Sequence, residues 1–310
     1  MKFSRFLVYH LLAIWGGLNL CAQSTNLTGQ WDFNQGDLRA TIGTNLQFRG
    51  GSSGTTFETT VINGATAHVM HFPAATPSQG YILTHGAQPN GGGTNVNIYT
   101  LIMDMMWPAE SDGTFRALFN TDRNNLEDAV MFVNPDNAVG INNNYSGSMD
   151  PGIWYRLALV FDLPNGTVTK YLNGQTNETS TQFLGENVID SRFSAGPSLL
   201  LFTDNDNETR SGFVDRIQFI PGALTPEQVV ALGNPVGDGG PPVGAAVKIE
   251  SIQKTGNNVV LTVSGGGNLQ LQKKVKLTDS TWQNVGQPST GSTFTVPASD
   301  PTGFFRVQRL

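Results

Sequence analysis

The sequence predicts an all-β protein folded as a sandwich, jelly roll or barrel. Three observations carry this. Short apolar runs alternate with a period of two, the gaps between them are rich in Gly, Asn, Asp and Pro, and helical periodicity is almost absent. Many short strands at close spacing, with no helices between them, leave only those architectures. Composition agrees: the 310 residues are 38% hydrophobic, enough to bury a core, and 36 glycines supply turns.

Ile98–Trp107 sets Tyr99, Leu101, Met103, Met105 and Trp107 on one face of a strand. Trp154–Leu163 alternates Tyr155, Leu157, Leu159, Phe161 and Leu163 against Arg156, Ala158, Val160 and Asp162. Ala117–Asn120, Ala129–Asn134, Val168–Leu172, Ser198–Thr203 and Phe213–Ile220 are further strands, and Asn173-Gly174 is a hairpin turn. One helix is expected, Pro226–Leu232. Thr225 is its N-cap, Pro226 takes the first position and Gln228 completes a capping box. Leu224 and Val229 form a hydrophobic staple, and Gly233 ends the helix. Downstream, Lys248–Ile252, Asn258–Ser264, Leu269–Lys273, Thr281–Val285, Thr293–Val296 and Phe304–Gln308 read as strands, with a turn at Gly265-Gly266-Gly267.

Residues 1–22 read as a secretory signal. Lys2 and Arg5 give a positive start, Leu7 to Gly17 is apolar, and Ala22 suits the position before cleavage. Processing there takes the net charge from −6 to about −8 and removes Cys21, the only cysteine, so no internal disulfide is expected. Cys21 is also a candidate lipid anchor, although Leu20 stands where that motif wants a small residue. The expected location is secreted, periplasmic or cell-surface. The Asn-x-Ser/Thr sites at Asn26, Asn144, Asn165, Asn177 and Asn207 matter only in a eukaryotic secretory pathway. Asn234–Gly244 is dense in Gly and Pro and reads as a linker. It separates a large domain, 25–233, from a small β-module, 245–310. The acidic balance and the lack of a basic run longer than Lys273-Lys274 argue against nucleic acid.

Gly212–Gly233, GFVDRIQFIPGALTPEQVVALG, resembles the end of concanavalin A-like, laminin G-like domains, where a last core strand leads into a short helix. Gly29–Gly43, GQWDFNQGDLRATIG, resembles their first strand, and Tyr155–Asp162 followed by KYLNG at Lys170–Gly174 resembles their central hairpin. The resemblance covers about residues 25–233 and implies a concanavalin A-like jelly roll. That fold is reused for sugar binding, adhesion, catalysis and spacing, so it leaves function open. The tail Leu269–Arg309 resembles small C-terminal β-modules of secreted bacterial proteins.

Candidate chemistry is sparse. Glu110-Ser111-Asp112 is similar to half of the carboxylate strand of concanavalin-like glucanases. The position three after Asp112 is Phe115, so the second glutamate is missing, and Pro108 and Gly113 place the motif in a loop. Asp204-Asn205-Asp206-Asn207-Glu208 is the densest oxygen cluster. Asp204, Asp206 and Glu208 suit Ca²⁺, with Asp122 and Asp128 as weaker companions; a plain polar loop is the alternative. Laminin G-like domains often hold calcium at a rim loop, but with ligands spread across several loops. His68 and His71 fall on opposite strand faces and His85 stands alone, so no transition-metal site is expected. Gly91-Gly92-Gly93 reads as a mobile loop. For sugar, the best supply of aromatic and amide groups is Tyr145 with Asn142 and Asn144, and Trp107 or Trp154 as neighbours, unless those two tryptophans belong to the core.

The expectation is a secreted, non-catalytic module that binds carbohydrate or another extracellular ligand. The alternatives are a structural or adhesive accessory protein without a small ligand, and a polysaccharide hydrolase or lyase.

Overall fold

The structure, a computed structural model, describes residues 27–51, 54–237, 248–256, 258–264, 269–276, 278, 281–289, 293–297 and 304–309. The signal and Cys21, Asn26, most of the linker and the Gly265–Gly267 turn lie outside the described residues, as does the Asn177 side chain.

The strands run in order as β1 (Gly29–Trp31), β2 (Gln47–Arg49), β3 (Thr56–Ile62), β4 (Ala65–Phe72), β5 (Gly80–Thr84), β6 (Ile98–Met106) and β7 (Arg116–Asn120). Next come β8 (Met131–Val133), β9 (Val139–Ile141), β10 (Asn144–Ser146), β11 (Tyr155–Asp162), β12 (Thr167–Leu172), β13 (Gln175–Phe183), β14 (Ser198–Leu201) and β15 (Gly212–Ile220). After helix α1 (Pro226–Val230) follow β16 (Lys248–Thr255), β17 (Asn258–Ser264), β18 (Leu269–Lys274), β19 (Gln283–Ser289), β20 (Thr293–Pro297) and β21 (Phe304–Arg309).

Two antiparallel sheets form a β-sandwich. The first has the order β13-β12-β11-β6-β15-β4-β3, with β1 also paired to β15, and the second has β10-β9-β8-β7-β14-β5-β2. The alternation read from the sequence sets the core between them. Tyr99, Leu101, Met103 and Met105 of β6 and Tyr155, Leu157, Leu159 and Phe161 of β11 meet Leu83, Leu118, Phe119, Met131, Val133, Leu199 and Leu201 from the second sheet. Burying each large apolar side chain contributes about 1.5–3 kcal/mol. Strand β1 lies against β15, Gly29 opposite Phe219 and Trp31 opposite Ile217, so the first strand pairs with the last strand before the helix.

The outer face of the first sheet is covered in turn. Ile102, Ala158, Val160, Tyr171 and Ile220 are buried with Leu224 and Val229 of the helical segment. The cap is as expected: Thr225 Oγ1 accepts from the Gln228 N–H, Gln228 Oε1 accepts from the Thr225 N–H, and Gly233 has φ +60°. Beside it Arg156 donates from Nε and Nη2 to both oxygens of buried Asp104, at 2.7 and 2.6 Å. The β12–β13 turn has Asn173 and Gly174 at φ 53° and 68°, and the Asn173 Oδ1 also accepts the Arg156 backbone N–H.

The C-terminal strands form two three-stranded sheets, β16-β17-β20 and β19-β18-β21, around a small core of Leu261, Val263, Leu269, Leu271, Phe294 and Val296. Among the described residues no helix is long and apolar enough to cross a membrane.

At the Gly91–Gly93 loop the Gly92 carbonyl accepts an Asn97 amide N–H at 2.6 Å, and the residues that follow are held by Asp190. Asp190 accepts the Thr94 N–H at 2.7 Å, the Asn95 N–H at 2.9 Å and an Asn97 amide N–H at 3.1 Å. Those bonds, the Thr94 backbone bond foremost, hold its carboxyl down at about 2. A Cβ at Gly93 would sit 2.4 Å from Asp190 Oδ2, so only glycine allows this approach.

Candidate functional site: an acidic loop beside an aromatic cluster

The loop that follows β14 turns sharply at Phe202, φ 56°, and buries Asp204 completely. Asp204 Oδ1 accepts the Ala129 N–H at 2.8 Å, and Oδ2 accepts the Asp206 N–H at 3.2 Å, a local turn typical of aspartate. The Glu208 carbonyl accepts the Ala117 N–H at 2.8 Å. Thr209 exchanges two hydrogen bonds with the backbone of Ala75. Fixed at these points, the loop brings one carboxylate oxygen each from Asp204, Asp206 and Glu208 within 4.8 Å of one another. All three are residues singled out from the sequence.

The proximity is electrostatically costly. Burial and Asp206 push the Asp204 carboxyl up, and burial together with Asp206, Asp204 and Asp128 pushes Glu208 up. Asn205, between the acids in sequence, donates to the Leu126 carbonyl at 3.3 Å, while its Oδ1 is buried without a hydrogen-bond partner. Three close carboxylates make an all-oxygen set that fits a hard divalent cation better than a softer one. A cation here would stand in place of the protons these acids otherwise favour.

Tyr145 belongs to the same place. It sits on β10, the edge strand of the second sheet, and packs with Phe115 and Phe132 against Ala117 and Ala129. Phe115 meets Phe132 and Tyr145 edge to face, with centroids 6.1 and 6.2 Å away. Ala117 and Ala129 are the residues whose N–H groups hold the acidic loop, so loop and cluster are contiguous. Burial first, then the charges of Glu208 and Asp128, push the Tyr145 hydroxyl up to about 12. The sequence presents Tyr145 and the acids separately; the fold places them side by side.

Asn142 and Asn144 flank the β9–β10 turn with exposed side chains, Asn142 at φ 54°. Lys170 supports this hairpin from below: its buried Nζ donates to the Val139 carbonyl at 2.8 Å and the Asn144 carbonyl at 3.3 Å. Burial lowers its ammonium to about 8.

Trp107 is a correction. It is 1% exposed and packs edge to face on Phe72 in the core, so it offers no surface to a sugar. Trp154 packs with Ile62, Ala67, Val69 and Phe213 on the first sheet, away from Tyr145. Asp122 accepts the Asn124 and Leu126 N–H groups and serves a turn, whereas Asp128 faces Glu208. Glu110 to Asp112 form a short 3-10 turn and a cap rather than a strand, and Asp112 accepts from Asn137 at 3.1 Å. His85 is buried, stacks on Phe219 and bonds the Gly196 carbonyl, as a core histidine does. Phe115 and Phe132 were missed by sequence reasoning, because nothing in a lone Phe tells core from platform.

No family model matches the chain, and no curated protein matches it. Among solved structures, it is similar to domain 4 of AbnA, a GH43 extracellular arabinanase from Geobacillus stearothermophilus, in complex with arabinotriose. That match has 21% identity and a TM-score of 0.44, covering 67% of this chain and 98% of that one. The binding domain of botulinum neurotoxin DC in complex with rat synaptotagmin II matches at 11% identity and TM-score 0.45, covering 85% and 69%. Botulinum neurotoxin serotype D ligand binding domain in complex with N-acetylneuraminic acid matches at 12% and 0.44, covering 85% and 68%. Likeness at this level says nothing about what this chain binds.

Proposed function

We propose that this chain is a secreted, non-catalytic binding protein whose large domain, 25–233, is a concanavalin A-like, laminin G-like jelly roll that takes a carbohydrate or another extracellular ligand. In this reading residues 1–22 are a signal, 234–244 a linker and 245–310 a separate β-module. The observation that supports it is the meeting of Asp204, Asp206 and Glu208 with the Tyr145–Phe115–Phe132 cluster. Ca²⁺ held by the three acids supplies open positions for hydroxyl oxygens. The Tyr145 ring offers an apolar face, and the Asn142 and Asn144 amides can pair with vicinal hydroxyls. The test is a glycan array read in calcium and in EDTA, with Tyr145→Ala and Asp204→Asn alongside. The expected result is calcium-dependent binding lost in both variants; no glycan bound in calcium refutes the carbohydrate reading.

A second reading, a protein-adhesive rim, is favoured by Leu126. It is 76% exposed, and its carbonyl is bonded by Asn205 of the acidic loop. Cell or protein binding that survives Tyr145→Ala but falls with Leu126→Ser selects it.

A further inference from the structure

The C-terminal strands carry a different surface. In sheet β19-β18-β21 the alternation turns Leu271, Val285 and Val307 towards the small core and Gln272, Lys274, Asn284 and Arg306 to the opposite face. The register sets Arg306, Gln272 and Asn284 side by side on three neighbouring strands. Their side chains are linked in a row: Arg306 Nε donates to Gln272 Oε1 at 2.7 Å, and Gln272 Nε2 donates to Asn284 Oδ1 at 2.7 Å. Trp282 stands two residues before Asn284. Lys274 Nζ lies 5.0 Å and the Arg306 guanidinium carbon 4.6 Å from its ring centroid.

One indole thus gathers two cations that would otherwise repel, because both are drawn to its negative face. Holding them in place lowers the ordering cost of binding an anion. The Nε bond restrains the plane of Arg306, whose guanidinium fork has a geometry that matches a carboxylate. The surroundings have the same sign. Residues 245–310 contain seven Lys and Arg against three Asp and Glu, while 25–233 contain nine against twenty. Five of the seven lysines of the chain fall in 245–310.

We propose that this face is a second binding surface, for a carboxylate-bearing polysaccharide. Lys274 and Arg306, gathered by Trp282, meet the carboxylates, and the Gln272–Asn284 amides meet neighbouring hydroxyls. A single-stranded nucleic acid needs open rings on which its bases stack, and here the ring already carries the cations.

The test uses the full chain, with polygalacturonate, neutral dextran and a short single-stranded DNA as probes, by calorimetry or interferometry in EDTA. Calcium is absent, so failure of the calcium reading of the large domain leaves this experiment untouched. The expected result is binding of polygalacturonate but not dextran, weakening as salt rises. Lys274→Gln with Arg306→Gln is expected to weaken it at least about tenfold, with an unchanged melting temperature. Should the double variant lose its cooperative melt, Lys274→Gln alone, expected to cost roughly threefold, decides instead. The proposal is overturned by absence of polygalacturonate binding, by equal binding of the variants, by binding of DNA in its place, or by light scattering that traces the signal to self-association.

Discussion

Asp206→Asn is expected to make the metal-free protein more stable and to abolish its stabilisation by calcium. The three carboxylate oxygens lie within 4.8 Å. At that separation two unit charges repel by about 3.5 kcal/mol at an effective dielectric near 20, and by about 0.9 kcal/mol in bulk water. Asp206 is exposed, so solvent screening selects the lower end, about 1 kcal/mol for each of its two pairs. In a domain of this size 1 kcal/mol moves the melting temperature by roughly 2–4 °C, so the variant should melt roughly 4–8 °C higher in EDTA at neutral pH. The pH dependence carries the same sign. Asp204 and Glu208 have raised folded-state values, so their protonation favours the fold at low pH. That contribution is lost as pH rises above the ordinary carboxylate range, about 4, through the raised values. The metal-free protein should therefore lose stability across that window, and Asp206→Asn should lose less. Calcium at about 100 times its dissociation constant adds about 2.7 kcal/mol, or roughly 5–10 °C. Differential scanning calorimetry in EDTA and in millimolar calcium reads all of this. A wild-type melt indifferent to calcium, an equal calcium shift in the variant, or a variant that melts lower in EDTA refutes the reasoning.

Removing the Asp104 carboxylate with Asp104→Ala leaves Arg156 buried without its charge partner and should cost about 3–5 kcal/mol in urea unfolding. Lys170→Met should flatten the stability profile in alkali. A buried ammonium lowered to about 8 gives a fold that gains stability as pH rises from there towards the ordinary lysine value, about 10.4, and the variant loses that slope. Thr225→Ala removes one half of the capping box and should cost about 1 kcal/mol, read as a lower calorimetric melting temperature.

The strands of the core were legible because the face turned to the second sheet carries only large apolar residues, whereas the outer face, though also buried, carries smaller and polar ones, which leaves a period-two trace. β6 and β11 carry that trace clearly, and their alternate residues are buried as it requires. The helix was legible because a capping box is a local device, satisfied within four residues. The sequence does not reveal β2, β9 and β10, since three residues are too short to show a period, nor β3 and β13, largely polar edge strands without apolar alternation, nor β5, whose short apolar run GYILT does not alternate. Trp107 misled for a related reason, since a tryptophan at a strand end has the same sequence whether it faces solvent or the facing sheet.

What the sequence determined alone was the local and the periodic: strand faces, the Asn173-Gly174 turn, the helix cap and the acidic run itself. What tertiary structure decided was which distant groups share a place. Tyr145 and Glu208 are separated by more than sixty residues. They come near each other because the backbone N–H groups of Ala117 and Ala129, which pack in the aromatic cluster, bond the acidic loop. Arg306, Gln272 and Asn284 align only through strand register. Such contacts arise from long-range pairing, and no local pattern in the chain encodes them.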